Sequence, residues 1–221
     1  MILLIDKPKG WTSFDVVAKV RGILHEKKVG HAGTLDPNAT GLLIVATGAD
    51  TKKIGELTKN TTKTYEAEIV LGKISSTDDV DGELTQFAQQ IVEPQEQEVK
   101  QILKNFEGEQ MQMPPKYSAI RVNGKKAYEL ARQGGDVKLE PRKVTIYSIK
   151  LQDYKYPVLK ITCEVSAGTY IRSIARDLGE KLKTGAYLNE LRRTQIGQYS
   201  AQKAISLQEL QQMQTKEQLP H

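Results

Sequence analysis

The sequence predicts an α+β fold, and three observations predict it. Apolar residues alternate with polar ones in 65-YEAEIVLG-72, where Tyr65, Ala67, Ile69 and Leu71 share one face, and again at Leu159, Ile161, Cys163 and Val165. Val16, Val17, Val20, Ile23 and Leu24 instead recur at helical spacing. These strands and helices follow one another without a regular strand–helix–strand rhythm, which argues against a doubly wound parallel sheet.

The elements follow in order. The run 2-ILLI-5 reads as a short buried strand, and Thr12 to Asp15 carries a capping-box signature ahead of the first helix. The stretch 30-GHAGTLDPNATG-41 reads as a loop that holds one acidic residue, Asp36, in front of Pro37. Residues 42–47 form a buried strand, a short helix lies around 51–58, and 65–72 is the alternating strand. Residues 75–82 are a polar loop. A helix near 95–106 precedes 113-MPPKYSAIRVNGKKAYELARQGG-135, a basic stretch broken by Pro and Gly. Strands near 143–151 and 158–166, a helix from Gly168-Thr169-Tyr170 to about 182, a strand at 192–199 and a helix at 204–213 complete the pattern. The Gln-rich tail from Gln208 is expected to fray.

The chain has 221 residues and a formal net charge of +5, a modest basic excess that fits an anionic partner. Its single cysteine, Cys163, forms no internal disulfide, and its opening apolar run is too short for a secretion signal. With no stretch as long as a membrane span, the expectation is a cytoplasmic protein. His25, His31 and His221 are scattered, so no usual zinc site is expected and no metal is predicted. There is no GxxxxGK[ST] and no G-x-G-x-x-G after a strand, which excludes the common phosphate and dinucleotide loops. The loop 76-STDDVDG-82 fails as a calcium loop at its first and twelfth positions, Thr77 and Ala88. Any catalysis must therefore use side chains alone.

Five segments occur in order: 6-DKPKGWTSFD-15, 30-GHAGTLDPNATGLLIVATG-48, 63-KTYEAEIVLG-72, 113-MPPKYSAIRVNGKKAYELAR-132 and 166-SAGTYIRSIARDLG-179. Together they strongly resemble the bacterial tRNA pseudouridine synthases that modify the T-loop uridine at position 55, across nearly the whole chain. The resemblance implies the catalytic fold of those enzymes: a mixed, largely antiparallel central sheet flanked by helices. It implies a single catalytic domain over 1–221 with a basic, RNA-contacting insertion at about 113–143. It also implies an isomerase that flips the uridine and converts it to pseudouridine without a cofactor.

Residue by residue, the resemblance makes Asp36 the catalytic aspartate, in the nucleophile's position. Whether it attacks C1′, attacks the base or assists elimination stays open. Arg172 is expected to pair with it, because an arginine stays charged and can hold a carboxylate through two bonds. Tyr65 is expected to stack on the flipped base and is a candidate general base; its place on an apolar strand face makes a core tyrosine the competing reading. His31 is expected to fill the space the nucleotide leaves in the T-loop. Lys7, Pro8 and Lys52 match positions near the catalytic loop, with support and RNA contact as their expected roles, and Tyr170 and Leu191 match the pocket lining. In the basic insertion, Lys125, Tyr128 and Arg132 are expected to touch RNA.

The chain ends at His221, with no room for the C-terminal PUA domain of longer relatives, so heavier reliance on residues 113–143 is expected. The expected partner is the T-arm of tRNA, with no membrane, guide RNA or obligate protein partner, and a monomer. The alternative is an RNA-binding or tRNA-folding module in which catalysis is secondary or lost.

Overall fold

A computed structural model describes residues 1–58, 61–88, 90–118, 120–122, 124–132 and 138–216, with backbone alone at 121–122, 125–126, 129 and 131–132. Its strands are β1 (Ile2–Lys7), β2 (Val29–Ala32), β3 (Thr40–Thr47), β4 (Lys63–Leu71), β5 (Lys73–Ser75), β6 (Leu84–Gln86), β7 (Gly108–Gln112), β8 (Arg121–Val122), β9 (Lys125–Lys126), β10 (Arg142–Lys155), β11 (Val158–Val165), β12 (Ala186–Ile196) and β13 (Tyr199–Ser200). Its helices are α1 (Ser13–Leu24), α2 (Ile54–Thr58), α3 (Glu96–Lys104), α4 (Ala127–Arg132), α5 (Ile171–Lys181) and α6 (Leu207–Thr215). The architecture is α+β, with a largely antiparallel sheet and helices, as the sequence predicts. No helix among the described residues is long and apolar enough to cross a membrane.

The chain forms two compact units: Met1–Glu66 with Leu191–His221, and Ala67–Glu190. In the first, β3 pairs antiparallel with β1, in register from Ile2 opposite Ala46 to Lys7 opposite Gly41, and antiparallel with β2. It meets β12 in parallel, where Arg193 faces Gly41. Leu3, Ile5, Val16, Val20, Ile23, Leu43 and Val45 form its core with Leu207 and Leu210 of α6. The predicted capping box holds: Asp15 N donates to Thr12 Oγ1, and the Asp15 carboxylate accepts from Thr12 N. In the second unit β11, β10 and β7 are antiparallel neighbours, and Val99 and Leu103 of α3 are buried.

Four expectations shift. The first residues of 30–41 belong to β2, so the loop proper begins after Ala32. The last long strand begins at Ala186, ahead of the expected start at 192, with Ala186, Tyr187 and Leu188 buried at its start. The strand β7 was not expected, because 108-GEQMQ-112 is polar and mostly exposed and carries no alternation. The Gln-rich tail is helical through Thr215, because Ser206 and Glu209 form a second capping box.

Candidate functional site

The loop around Asp36 is tied down on both sides of the carboxylate by the segment 7–13. Before it, Leu35 N donates to Ser13 Oγ (2.9 Å) and Ser13 Oγ donates to Leu35 O (3.2 Å). After it, Pro37 O accepts from Gly10 N (2.9 Å) and from Lys7 Nζ (3.1 Å). Lys7 Nζ also donates to Pro8 O (2.9 Å) and Trp11 O (2.6 Å). An ammonium has three protons, and three carbonyls take them. Lys7 is 0% exposed. Burial pulls its pKa down from 10.5 to about 8, with Asp36 opposing the shift and Arg193 adding to it. Lys7 thus supports the loop from inside the fold.

Arg193 secures the same loop from β12, and sequence reasoning missed it. Its Nε donates to Leu42 O (2.9 Å) and its Nη2 to Gly33 O (2.7 Å), so one guanidinium spans the loop from entry to exit. The side chain is 0% exposed. Gly41, with φ of +96°, passes so close that a Cβ there would lie 2.3 Å from Arg193 O. Its neighbour Arg192 points the other way and forms a two-point pair with Asp6 at 3.0 and 2.8 Å. Strand alternation separates these adjacent arginines; the only sequence signal was their place in the last strand.

His31 lies on β2 opposite Val45, and burial and then Arg193 lower its pKa, favouring the neutral ring. Its Nδ1 is buried without a hydrogen-bond partner among the described residues. Tyr65 is buried on β4 at 6% exposure. Lys52 is exposed at the end of a 3-10 turn, and Leu191 is half-buried, its carbonyl accepting from Thr40 Oγ1 (3.4 Å).

In the second unit Arg172, on the first turn of α5, is 5% exposed. Its Nη1 donates to Thr77 O (3.2 Å) and lies 3.4 Å from Asp79 Oδ2; its Nη2 donates to Tyr117 O (3.0 Å). Asp79 is fixed in turn, its Oδ1 accepting from Thr77 Oγ1 (2.5 Å) and Asp81 N (3.1 Å). One residue away, Asp78 pairs with Arg176 at 2.9 Å, while burial raises the Asp78 pKa. The acidic loop 76–82 is therefore the mount for two arginines of α5. The Gln112 side chain grips Tyr170 at both main-chain groups: Nε2 donates to Tyr170 O (3.1 Å), and Tyr170 N donates to Oε1 (2.9 Å). That clamp sets the start of α5 and so the direction of Arg172. Asp79 and Gln112 were absent from the expected site because their significance lies in contacts 93 and 58 residues away along the chain.

A cleft of about 610 Å³ adjoins the Asp78–Arg176 pair, with Met113, Pro114, Lys116 and Lys138 in its lining. In the basic insertion, Tyr128 N donates to Ser118 O (3.0 Å), which ties α4 to the preceding segment. The side chains of Lys125 and Arg132, and residues 133–137, lie outside the described residues.

Comparison with known proteins gives the family. Residues 21–171 match the TruB family pseudouridylate synthase N-terminal domain, and residues 172–220 match the tRNA pseudouridylate synthase B C-terminal domain. The tRNA pseudouridine synthase B of Dehalococcoides mccartyi is 47% identical over 95% of this chain and 69% of its own length. That of Ureaplasma urealyticum is 44% identical, covering 95% of this chain and 91% of its own. Among solved structures, a Cbf5-Nop10-Gar1 complex superposes with a TM-score of 0.75 at 28% identity, covering 99% of this chain and 56% of that one. An H/ACA RNP bound to a substrate RNA containing 2'-deoxyuridine gives 0.73 at 28%, covering 100% and 56%. The chain thus spans just over half the length of those two. Its matches to the two family domains are contiguous and cover residues 21–220, and this chain belongs to the TruB family of pseudouridylate synthases.

Proposed function

We propose that this protein is an isomerase that converts a uridine of tRNA, the T-loop uridine at position 55, to pseudouridine. The observation that carries the reading is the immobilised Asp36: both flanking residues are bonded to segment 7–13, and Arg193 holds both ends of the loop. A carboxylate so fixed is preorganised for chemistry, since reacting groups gain rate when their geometry is set before the substrate arrives.

The reaction breaks the N1–C1′ bond, turns the uracil, and joins C5 to C1′. C5 loses a proton and N1 gains one, so composition is unchanged and no redox partner is consumed. In this proposal Asp36 acts at the sugar and base, Tyr65 supplies a stacking face, and Arg172 supplies the counter-charge. Base–aromatic stacking contributes roughly 1–3 kcal/mol, and flipping costs a few kcal/mol, part of which an uncharged His31 ring offsets. Tyr170 and Leu191 line the pocket, and Lys52 with Lys125, Tyr128 and Arg132 of the basic insertion contacts the T-arm. The enzyme is proposed to act as a cytoplasmic monomer without guide RNA or protein partner.

Purified protein and unmodified tRNA provide the test. Pseudouridine should form at one T-loop position with wild type and not with Asp36→Asn. Equal turnover by that variant would sink the assignment, and binding without turnover by wild type would favour a tRNA-folding module.

A further inference from the structure

Lys63 opens β4 two residues before Tyr65, so the two side chains emerge on the same strand face, about 6.6 Å apart along the chain. Unlike Lys53, which pairs with Asp50, or Arg192, which pairs with Asp6, the Lys63 side chain has no hydrogen bond or ion pair among the described residues. It is half-buried, and the charge acting on it is another cation, Arg193. Arg193 is itself bonded to Leu42 O and Gly33 O, with no carboxylate among the described residues bonded to it. Desolvation, and then Arg193, bring the Lys63 pKa down to about 8.

A partly buried ammonium beside a guanidinium costs free energy unless an anion completes the arrangement. Nothing in the described fold supplies that anion, whereas the substrate of the proposed reaction carries one at every nucleotide. A base stacked on the Tyr65 ring would bring its own phosphodiester towards the neighbouring position on that strand face. We propose that Lys63 binds a backbone phosphate of the substrate RNA beside the nucleotide that stacks on Tyr65. The proposal rests on the tRNA reading above and deepens it: β4 holds the target nucleotide at base and backbone together.

The test uses the full chain and an unmodified T-arm stem-loop, with binding followed by anisotropy across a salt series. Lys63→Gln should weaken binding several-fold and lower the slope of log affinity against log salt by about 0.7, the value for one single-strand phosphate. Lys63→Arg should keep the slope. Replacing single phosphates around the target uridine by methylphosphonates should reveal one position that weakens wild type by the same factor yet leaves Lys63→Gln unaffected. Unchanged affinity and slope in Lys63→Gln would overturn the proposal. So would a wild type indifferent to every neutralised phosphate, a result that does not depend on the stability of any variant. Pseudouridine formation, measured alongside, reports separately on the functional reading. Lys63-dependent binding without turnover would defeat the enzyme and leave the phosphate contact standing.

Discussion

Replacing Lys7 by Met should separate activity from stability. The substitution keeps a long apolar stem but removes three donors. Pro37 O keeps its bond from Gly10 N, whereas Pro8 O and Trp11 O lose the lysine's protons. A fully buried carbonyl left without a donor costs about 1–3 kcal/mol; with Pro8 exposed and Trp11 half-buried, the two together cost at most about 6 kcal/mol and nothing where water takes the lysine's place. Against this, the wild type keeps a charged ammonium in a site that lowers its pKa from 10.5 to about 8. That depression corresponds to about 3 kcal/mol at neutral pH, which the variant recovers. The net change in unfolding free energy should fall between a gain of about 3 and a loss of about 3 kcal/mol, measurable by urea melts. Single-turnover pseudouridine formation should nevertheless fall about 100-fold, because the residue after Asp36 loses one of its two bonds to segment 7–13 and small misplacements of a reacting group are costly. Full activity in a folded variant would refute the tether argument. So would a stability loss well above 5 kcal/mol, which would mean that Lys7 supports the whole fold and not the loop alone.

Other outcomes follow from the same contacts. Asp79→Asn keeps an oxygen for Thr77 Oγ1 and Asp81 N but removes the charge beside Arg172; kcat should fall about tenfold or more with KM little changed, and an equal effect on KM would place Asp79 in RNA binding instead. Asp36→Asn should leave the melting temperature within a few degrees of wild type while abolishing turnover. Lys7 and Lys63 each titrate at about 8 in the fold, below the ordinary lysine value of 10.5. Between those values the unfolded chain binds more protons, so stability should rise with pH from about 8 to 10.5. Lys7→Met and Lys63→Gln should each remove part of that rise in melts across pH; a rise of the same size in both variants would show that other groups cause it.

Much of this protein is legible before any coordinates. The capping box at Thr12 and Asp15, the apolar stripe of α1 and the alternation in β4 and β11 are local signals, each written within a few residues. The singular Asp36, framed by glycines and followed by proline, also declares itself locally. Where locality fails, so does the reading. The strand β7 carries no alternation because it is mostly exposed, and β12 opens on three consecutive buried residues, Ala186, Tyr187 and Leu188, which show no period of two.

Sequence by itself determined that a single carboxylate sits in a stiffened loop, that no dinucleotide, P-loop or usual zinc motif accompanies it, and that Tyr65 and Arg172 lie in segments of one family pattern. Only the tertiary structure decided what holds these groups. Adjacent arginines took opposite fates, Arg192 at an ion pair and Arg193 buried against Gly33 and Leu42. Lys7, expected to support the catalytic loop and to contact RNA, is a tether inside the fold, and the acidic loop 76–82 became the seat of Arg172 and Arg176. The physical reason is common to all three. A charged side chain's role depends on which carbonyls and carboxylates the fold brings within about 3 Å, and those partners come from 30, 93 or 151 residues away.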